Sequence, residues 1–156
     1  MDHRSPELMS QEAMEISLIK FAEYLTNSSP DAICSGLAPQ YIRCNFEEST
    51  MVYRYETHSW MRNPGGALHG GVIAAMIDTT MGSLSYYMSG EKLTPTITMK
   101  VDYVAPGRME YPVYVGCKCT RCGGIMGYYT CKAWQVDEDK PIVTADGVYF
   151  AGGSKS

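Results

Sequence analysis

Asp78 is the first residue whose setting suggests chemistry. It is the only charged side chain between His69 and Glu91. The stretch around it, 70–88, carries Val72, Ile73, Met76, Ile77, Met81 and Leu84 and reads as one helix buried nearly all round. A carboxylate taken out of water is costly unless it is paired or hydrogen-bonded. Such a group serves either a structural network or an active site, since both kinds of setting perturb acids. Its helical neighbours weight the choice. On a 3.6-residue period Asp78 shares a face with Gly71, Ala74, Ala75, Gly82 and Ser85, and the bulky residues lie opposite. That stripe of small residues lets a ligand or a second backbone come close.

His69-Gly70-Gly71 opens the same helix. The first N–H groups of a helix have no partner inside it, and the macrodipole makes that end positive. Without side chains at Gly70 and Gly71, a carbonyl oxygen can reach those donors, which describes an oxyanion-type site. Two glycines also simply ease a loop into a helix, and His69 can equally be a packing and hydrogen-bonding residue there. Gly70 and Asp78 are eight residues apart, about 12 Å along a helix. If both act on one substrate, Asp78 must come from another copy of the chain. Antiparallel helices about a twofold axis would then give two composite sites per dimer.

The elements that must position these residues follow from the flanking pattern. Residues 7–26 have loosely helical apolar spacing and stop before Asn27-Ser28-Ser29-Pro30. Two strands are expected near 41–47 and 50–57, and Asn63-Pro64-Gly65-Gly66 is a loop. After the helix, strands are expected at 96–103, 111–122, 126–137 and 142–150, the last three long and joined by short turns as in an antiparallel meander. The whole is an α+β layout: one helix on a curved antiparallel sheet, in a single domain over 1–156, with a helical extension at 1–30 and a core at 35–152.

Composition narrows the function. With 13 Lys and Arg, 17 Asp and Glu and a net charge of −4, the chain lacks the basic concentration that a polyanion needs, so nucleic acid is not the expected partner. No run of 18 apolar residues is present to span a membrane, and charges throughout 7–28 break any secretory h-region, so the expected address is cytoplasmic. The six cysteines, at 34, 44, 117, 119, 122 and 131, are then expected as free thiols. Cys117, Cys119 and Cys122 resemble a metal cluster, but the single Cys-x-x-Cys has no second pair. Val113, Val115, Cys117 and Cys119 alternate as the buried face of a strand, so no metal site is assigned.

The segment from Asn63 to Gly82 also resembles the signature of the PaaI-like, phenylacetate-pathway type of hotdog thioesterases, within the 4-hydroxybenzoyl-CoA thioesterase superfamily. Asn63, then His69-Gly70-Gly71 six residues later, then Asp78 and Gly82, match in type and spacing. Thr96 to Pro106, with Tyr103-Val-Ala-Pro106, is similar to the strand that follows. The resemblance covers about 35–152. It implies a hotdog fold, a sheet of about six antiparallel strands wrapped around one long helix. It also implies homodimers, often paired into tetramers, and hydrolysis of an acyl-CoA or aryl-CoA thioester with no cofactor beyond the substrate's coenzyme A. Under it the Gly70 N–H polarises the carbonyl, and Asp78 of the partner copy is base or nucleophile. Asn63 and His69 orient carbonyl, water or loop, Thr96 places the water or Asp78, and Gly71 and Gly82 border the substrate.

Thioester cleavage needs an oxyanion donor and one base or nucleophile, and no Gly-x-Ser-x-Gly elbow is present. Lys92, Arg108, Lys118 and Arg121 are candidates for the phosphates of coenzyme A. Tyr86-Tyr87-Met88 and Trp60-Met61 are candidate pocket walls. The competing reading is a non-catalytic acyl-CoA sensor on the same fold. A hydratase would want an Asp–His pair on a different loop, which is not found. Fold alone does not decide among these.

Overall fold

The computed structural model describes residues 3–152. A short 3-10 turn at Pro6–Leu8 precedes α1, Gln11–Asn27. The two were expected as one helix. They separate because Ser10 is extended (φ −152°) and caps α1, its hydroxyl accepting from the Ala13 N–H at 3.1 Å. A short helix not expected from the sequence, α2 (Ile33–Leu37), follows. Strands β1 (Gln40–Asn45) and β2 (Thr50–Tyr55) lead to α3, Gly70–Met88. The chain then forms β3 (Thr96–Tyr103), β4 (Val113–Gly123), β5 (Met126–Trp134) and β6 (Val143–Phe150).

All six strands make one antiparallel sheet in the order β1-β2-β4-β5-β6-β3. The meander β4-β5-β6 is as the turn spacing predicts. β3 leaves its sequence neighbours and pairs with β6, so it forms one edge of the sheet.

Both ends of α3 are set by local chemistry. His69 is its N-cap. At the far end Gly90 adopts φ +72°, its N–H bonds Tyr87 O, and the Glu91 N–H bonds Tyr86 O. That is the paired closure of a Schellman motif, which favours glycine at this position. A Cβ on Gly90 would stand 2.5 Å from His3 O, so packing as well as φ requires glycine.

Ile73, Met76, Ile77, Met81 and Leu84 of α3 are buried against Val113 and Val115 of β4 and Tyr53 and Tyr55 of β2. Two of the buried phenols tie the helices to the sheet: Tyr55 OH lies 2.8 Å from Thr80 Oγ1, and Tyr53 OH donates to Leu18 O of α1 at 2.8 Å. Through Met14, Leu18 and Ala22, α1 joins the same apolar core.

Two expectations are corrected. First, α3 is less covered than the expected burial nearly all round. Gly71 is exposed, and Ala74, Ala75, Asp78, Thr79 and Gly82 are half-buried, so the small-residue stripe runs along an uncovered side. Second, not all the cysteines are free. Cys117 and Cys131 face each other in the β4–β5 register, with Cα atoms 4.2 Å apart, and form a disulfide. Reasoning from cellular compartment has no access to a register that sets two thiols opposite each other. Cys34, Cys44, Cys119 and Cys122 form no disulfide among the described residues.

Candidate active site

The loop before α3 is organised by Asn63. Its Oδ1 accepts from the Ala67 N–H at 3.1 Å, and its backbone N–H donates to Ala67 O at 2.8 Å. The Leu68 N–H donates to Gly107 O at 2.9 Å, which fastens this loop to the segment after β3. His69 then enters the helix with its N–H on Met61 O at 2.8 Å.

The imidazole Nδ1 of His69 accepts the Gly71 N–H at 3.0 Å. Accepting at Nδ1 leaves the proton of the neutral ring on Nε2. The consequence separates two residues that the sequence grouped together. The Gly71 donor is consumed by its own cap. The Gly70 N–H has no acceptor among the described residues.

Tyr103, at the end of β3, lies over Gly70. Its hydroxyl donates to Gly70 O at 2.6 Å, and a Cβ on residue 70 would meet its ring at 3.1 Å. Glycine at 70 therefore keeps the helix start clear beneath an aromatic ring that is itself 52% exposed.

Two turns further on, Asp78 is held by the sheet. Thr96 Oγ1 donates to Asp78 Oδ1 at 2.8 Å, and Tyr149 OH donates to the same oxygen at 2.6 Å. The Tyr149 hydroxyl also lies 3.1 Å from the Asp78 carbonyl oxygen. Burial pushes the Tyr149 phenol well above the usual tyrosine range, and its hydrogen bond to Asp78 and that residue's charge push it the same way. Tyr149 thus stays protonated as a fixed donor. Both hydroxyls spend their hydrogen bonds on one carboxylate oxygen, and the other oxygen, Oδ2, is bonded by neither.

Asp78, Thr79 and Gly82 form one wall of a cleft of about 350 Å³ that Cys34, Tyr86 and Leu93 help to close. Of the expected pocket walls, Tyr86 lines this cleft, Tyr87, Met88 and Met61 are buried in the core, and Trp60 is exposed.

Within one chain the expected site residues therefore fall into two groups. Asn63, His69, Gly70 and Gly71 gather at the start of α3. Asp78, Gly82 and Thr96 gather at its middle. Tyr149 was missed by sequence reasoning. The signal was present: Ala145, Gly147 and Tyr149 alternate as the inward face of β6, and an inward phenol must find a partner for its hydroxyl. Of the basic candidates, Arg108 shares a surface groove with Gly65, Gly66 and Ala67 of the Asn63 loop, whereas Lys118 lies in a separate groove with Arg43 and Lys132.

Comparisons with known proteins extend this picture. The family model of the thioesterase superfamily matches residues 65–142, from the Asn63 loop to the start of β6. Over 106 residues the chain is 31% identical to the acyl-coenzyme A thioesterase THEM4 of Xenopus laevis, covering 68% of this chain and 47% of that one. The chain thus spans about half the length of that curated relative.

Among solved structures, thioesterase superfamily member 2 of Mus musculus superposes with a TM-score of 0.74 at 13% identity, over 89% of this chain and 98% of that one. The PaaI protein of the Escherichia coli phenylacetic acid degradation operon gives a TM-score of 0.68 at 16% identity, over 87% and 97%. A Streptococcus mutans protein bound to acetyl CoA gives 0.65 at 17%, over 76% and 91%. At these identities the structures establish the hotdog fold. The half-chain match to the family model and the relative over two thirds of the chain establish descent: this chain belongs to the thioesterase superfamily.

Proposed function

We propose that the protein hydrolyses the thioester bond of an acyl-CoA or aryl-CoA, at composite sites formed between two copies of the chain. The observation that carries this reading is the separation of two complementary halves along one uncovered stripe of α3. A free backbone donor, the Gly70 N–H, stands about 12 Å along the axis from a carboxylate held on one oxygen only. Neither half suffices alone. In a twofold pair with antiparallel α3 helices, the Gly70 of one copy faces the Asp78 of the other.

The edge of the sheet supports the pairing. β3 has no partner strand on its outer side among the described residues, and Ile97 and Tyr103 on it are 46% and 52% exposed. A long open edge is a template for another strand. β3 also supplies Thr96 to the Asp78 half and Tyr103 to the Gly70 half, so pairing through this edge would build both sites at once.

In the reaction the thioester carbonyl oxygen sits on the Gly70 N–H, where charge develops as the carbonyl carbon is attacked. Asp78 of the other copy, through Oδ2, takes a proton from water that attacks the carbon, or attacks directly to give a mixed anhydride that water then opens. The C–S bond breaks and the coenzyme A thiolate leaves. Asn63 and His69 fix the donor loop, and Thr96 and Tyr149 fix the base. Arg108, beside the Asn63 loop, is the basic residue best placed to meet a coenzyme A phosphate. The chemistry calls for no metal or further cofactor.

The test is thiol release from a panel of aryl-CoA and acyl-CoA esters, with wild type and Asp78→Asn side by side. Turnover by wild type and a loss of at least about a hundredfold in the variant are expected, as for a lost positioned base. Binding of acyl-CoA without turnover on any ester would instead establish the sensor reading.

A further inference from the structure

We propose that Cys119 and Cys122 are a modification site, a thiol pair that a peroxide closes into a disulfide, and that closure loosens the hold of Tyr149 on Asp78. The second half rests on the thioesterase reading above; the pair itself does not. Register brings the two thiols together. Residues three apart on a regular strand face opposite ways. In β4, however, Cys119 stands opposite Tyr129, Arg121 opposite Tyr128 and Cys122 opposite Gly127, so β4 holds one residue more than β5 between these pairs. Such a bulge reverses the alternation beyond it. Thr120 and Arg121 are both exposed, and Cys119 and Cys122 both pack against the core.

The thiols lie within hydrogen-bonding reach of each other, and that contact, followed by burial, holds the Cys119 thiol well above its ordinary value. Cys119 is buried and stays protonated. Cys122 is half-buried, with its Sγ 3.8 Å from Met88 O, and is the thiol that a peroxide reaches. The Tyr129 hydroxyl stands in the same place. It is buried and has no hydrogen bond of ordinary geometry. Weaker contacts with Ser85, Cys119 and Cys122 surround it. It leans over Gly127, the register partner of Cys122, where a Cβ would stand 2.5 Å away. The Tyr129 ring meets the Tyr149 ring edge-on, with centroids 5.5 Å apart at 87°, and Tyr149 is one of the two donors on Asp78 Oδ1. In the reaction the Cys122 sulfur attacks one peroxide oxygen and the O–O bond breaks, giving a sulfenic acid and water. The Cys119 sulfur then displaces the sulfenic hydroxyl, which takes the Cys119 proton and leaves as a second water. The new S–S bond draws both sulfurs in beside the Tyr129 hydroxyl, and the displaced ring bears on Tyr149.

The experiment treats the full chain with hydrogen peroxide, removes the peroxide, maps disulfides by non-reducing peptide mass spectrometry and measures kcat by thiol release. The proteins are wild type, Cys119→Ser, Cys122→Ser and, as a control on a thiol elsewhere in the fold, Cys44→Ser. Wild type and the control should gain a Cys119–Cys122 link and lose about threefold to tenfold in kcat, part of the effect of a lost hydrogen bond to a charged group. KM should change little, and dithiothreitol should restore the rate. Neither link nor loss is expected in the two pair variants. Cys122 is half-buried, so its variant keeps the test valid if Cys119→Ser disturbs the core. Unoxidised protein given dithiothreitol controls for reduction of Cys117–Cys131.

Oxidation without a Cys119–Cys122 link, or a reversible loss of rate that persists in Cys122→Ser, would overturn the proposal. A link that leaves kcat unchanged would overturn its second half. If wild type turns over no ester, the thioesterase reading fails separately. The link then still decides the pair, and near-ultraviolet circular dichroism decides its reach to Tyr149. A change on oxidation that is smaller in Tyr149→Phe supports the reach, and an equal change in both proteins contradicts it.

Discussion

The first turn of α3 and the turn that carries Asp78 share one helix and one uncovered stripe, yet they are built by opposite means. The first turn is made of backbone. Asn63 ties the loop, His69 caps the Gly71 N–H, and the Gly70 N–H is left over under the ring of Tyr103. The Asp78 turn is made of side chains anchored outside the helix, with Thr96 on β3 and Tyr149 on β6 converging on one carboxylate oxygen. The difference suits the two tasks proposed for them. A donor for developing negative charge needs fixed position and no change of protonation, which a peptide N–H provides. A base or nucleophile must keep one oxygen free while the other is held, which two hydroxyls on a rigid sheet provide.

If this division is right, damage at the two ends should differ in size and kind. The largest effect is expected for Asp78→Asn, a loss of about 10²–10⁴ in kcat with retained substrate binding. Gly70→Pro comes next. Proline is accepted at the first helical position and removes the N–H in question, and its added carbons press on the Tyr103 ring, which a Cβ at 70 already meets at 3.1 Å, so kcat should fall about 10²–10³ with a lowered Tm beside it.

Tyr149→Phe leaves Asp78 in place with one donor fewer. A hydrogen bond to a charged group is worth about 1.5–3 kcal/mol, and part of it is retained through Thr96, so a fall of about tenfold in kcat with little change in KM is expected. Tyr103→Phe removes an exposed hydrogen bond of about 1 kcal/mol. It should lower Tm by about 2–4 °C for a chain of this size and affect rate only severalfold.

The smallest effect concerns pH. Burial holds the phenols of Tyr53, Tyr55, Tyr129 and Tyr149 above the ordinary tyrosine value. Above about pH 10 the unfolded chain ionises where the folded chain does not, so it binds fewer protons and stability declines as pH rises. The urea midpoint should be flat below that point and fall above it, less steeply in Tyr149→Phe.

The comparison also explains what the sequence made legible. The bounds of α3 are Gly70–Met88, as the pattern predicts, because both ends are fixed by neighbours in sequence: His69 at one and Gly90 at the other. Thr96–Tyr103 is likewise a strand over the expected residues. What was hidden depends on pairing across long separations. β3 lies beside β6 rather than in the order of the chain, and only that placement brings Thr96 and Tyr149 to the same oxygen. The Cys117–Cys131 bond has the same origin in the β4–β5 register. The exposure of α3 along Gly71, Ala74, Ala75 and Asp78 was masked because small apolar residues read alike in a core and on a surface awaiting a partner. Gly70 and Gly71 look equivalent in sequence, and only the position of the His69 ring tells the capped donor from the open one.

The central claim is that each site takes its donor from one copy and its base from the other. Its most direct test is complementation between Gly70→Pro and Asp78→Asn, each inactive alone, after denaturing and refolding them together in equal amounts. In a mixed dimer one site carries both lesions and the other carries neither. Random pairing should therefore restore about a quarter of wild-type activity for a twofold composite site. A mixture that stays as inactive as its components, while forming mixed dimers, would place donor and base in the same chain and contradict the account.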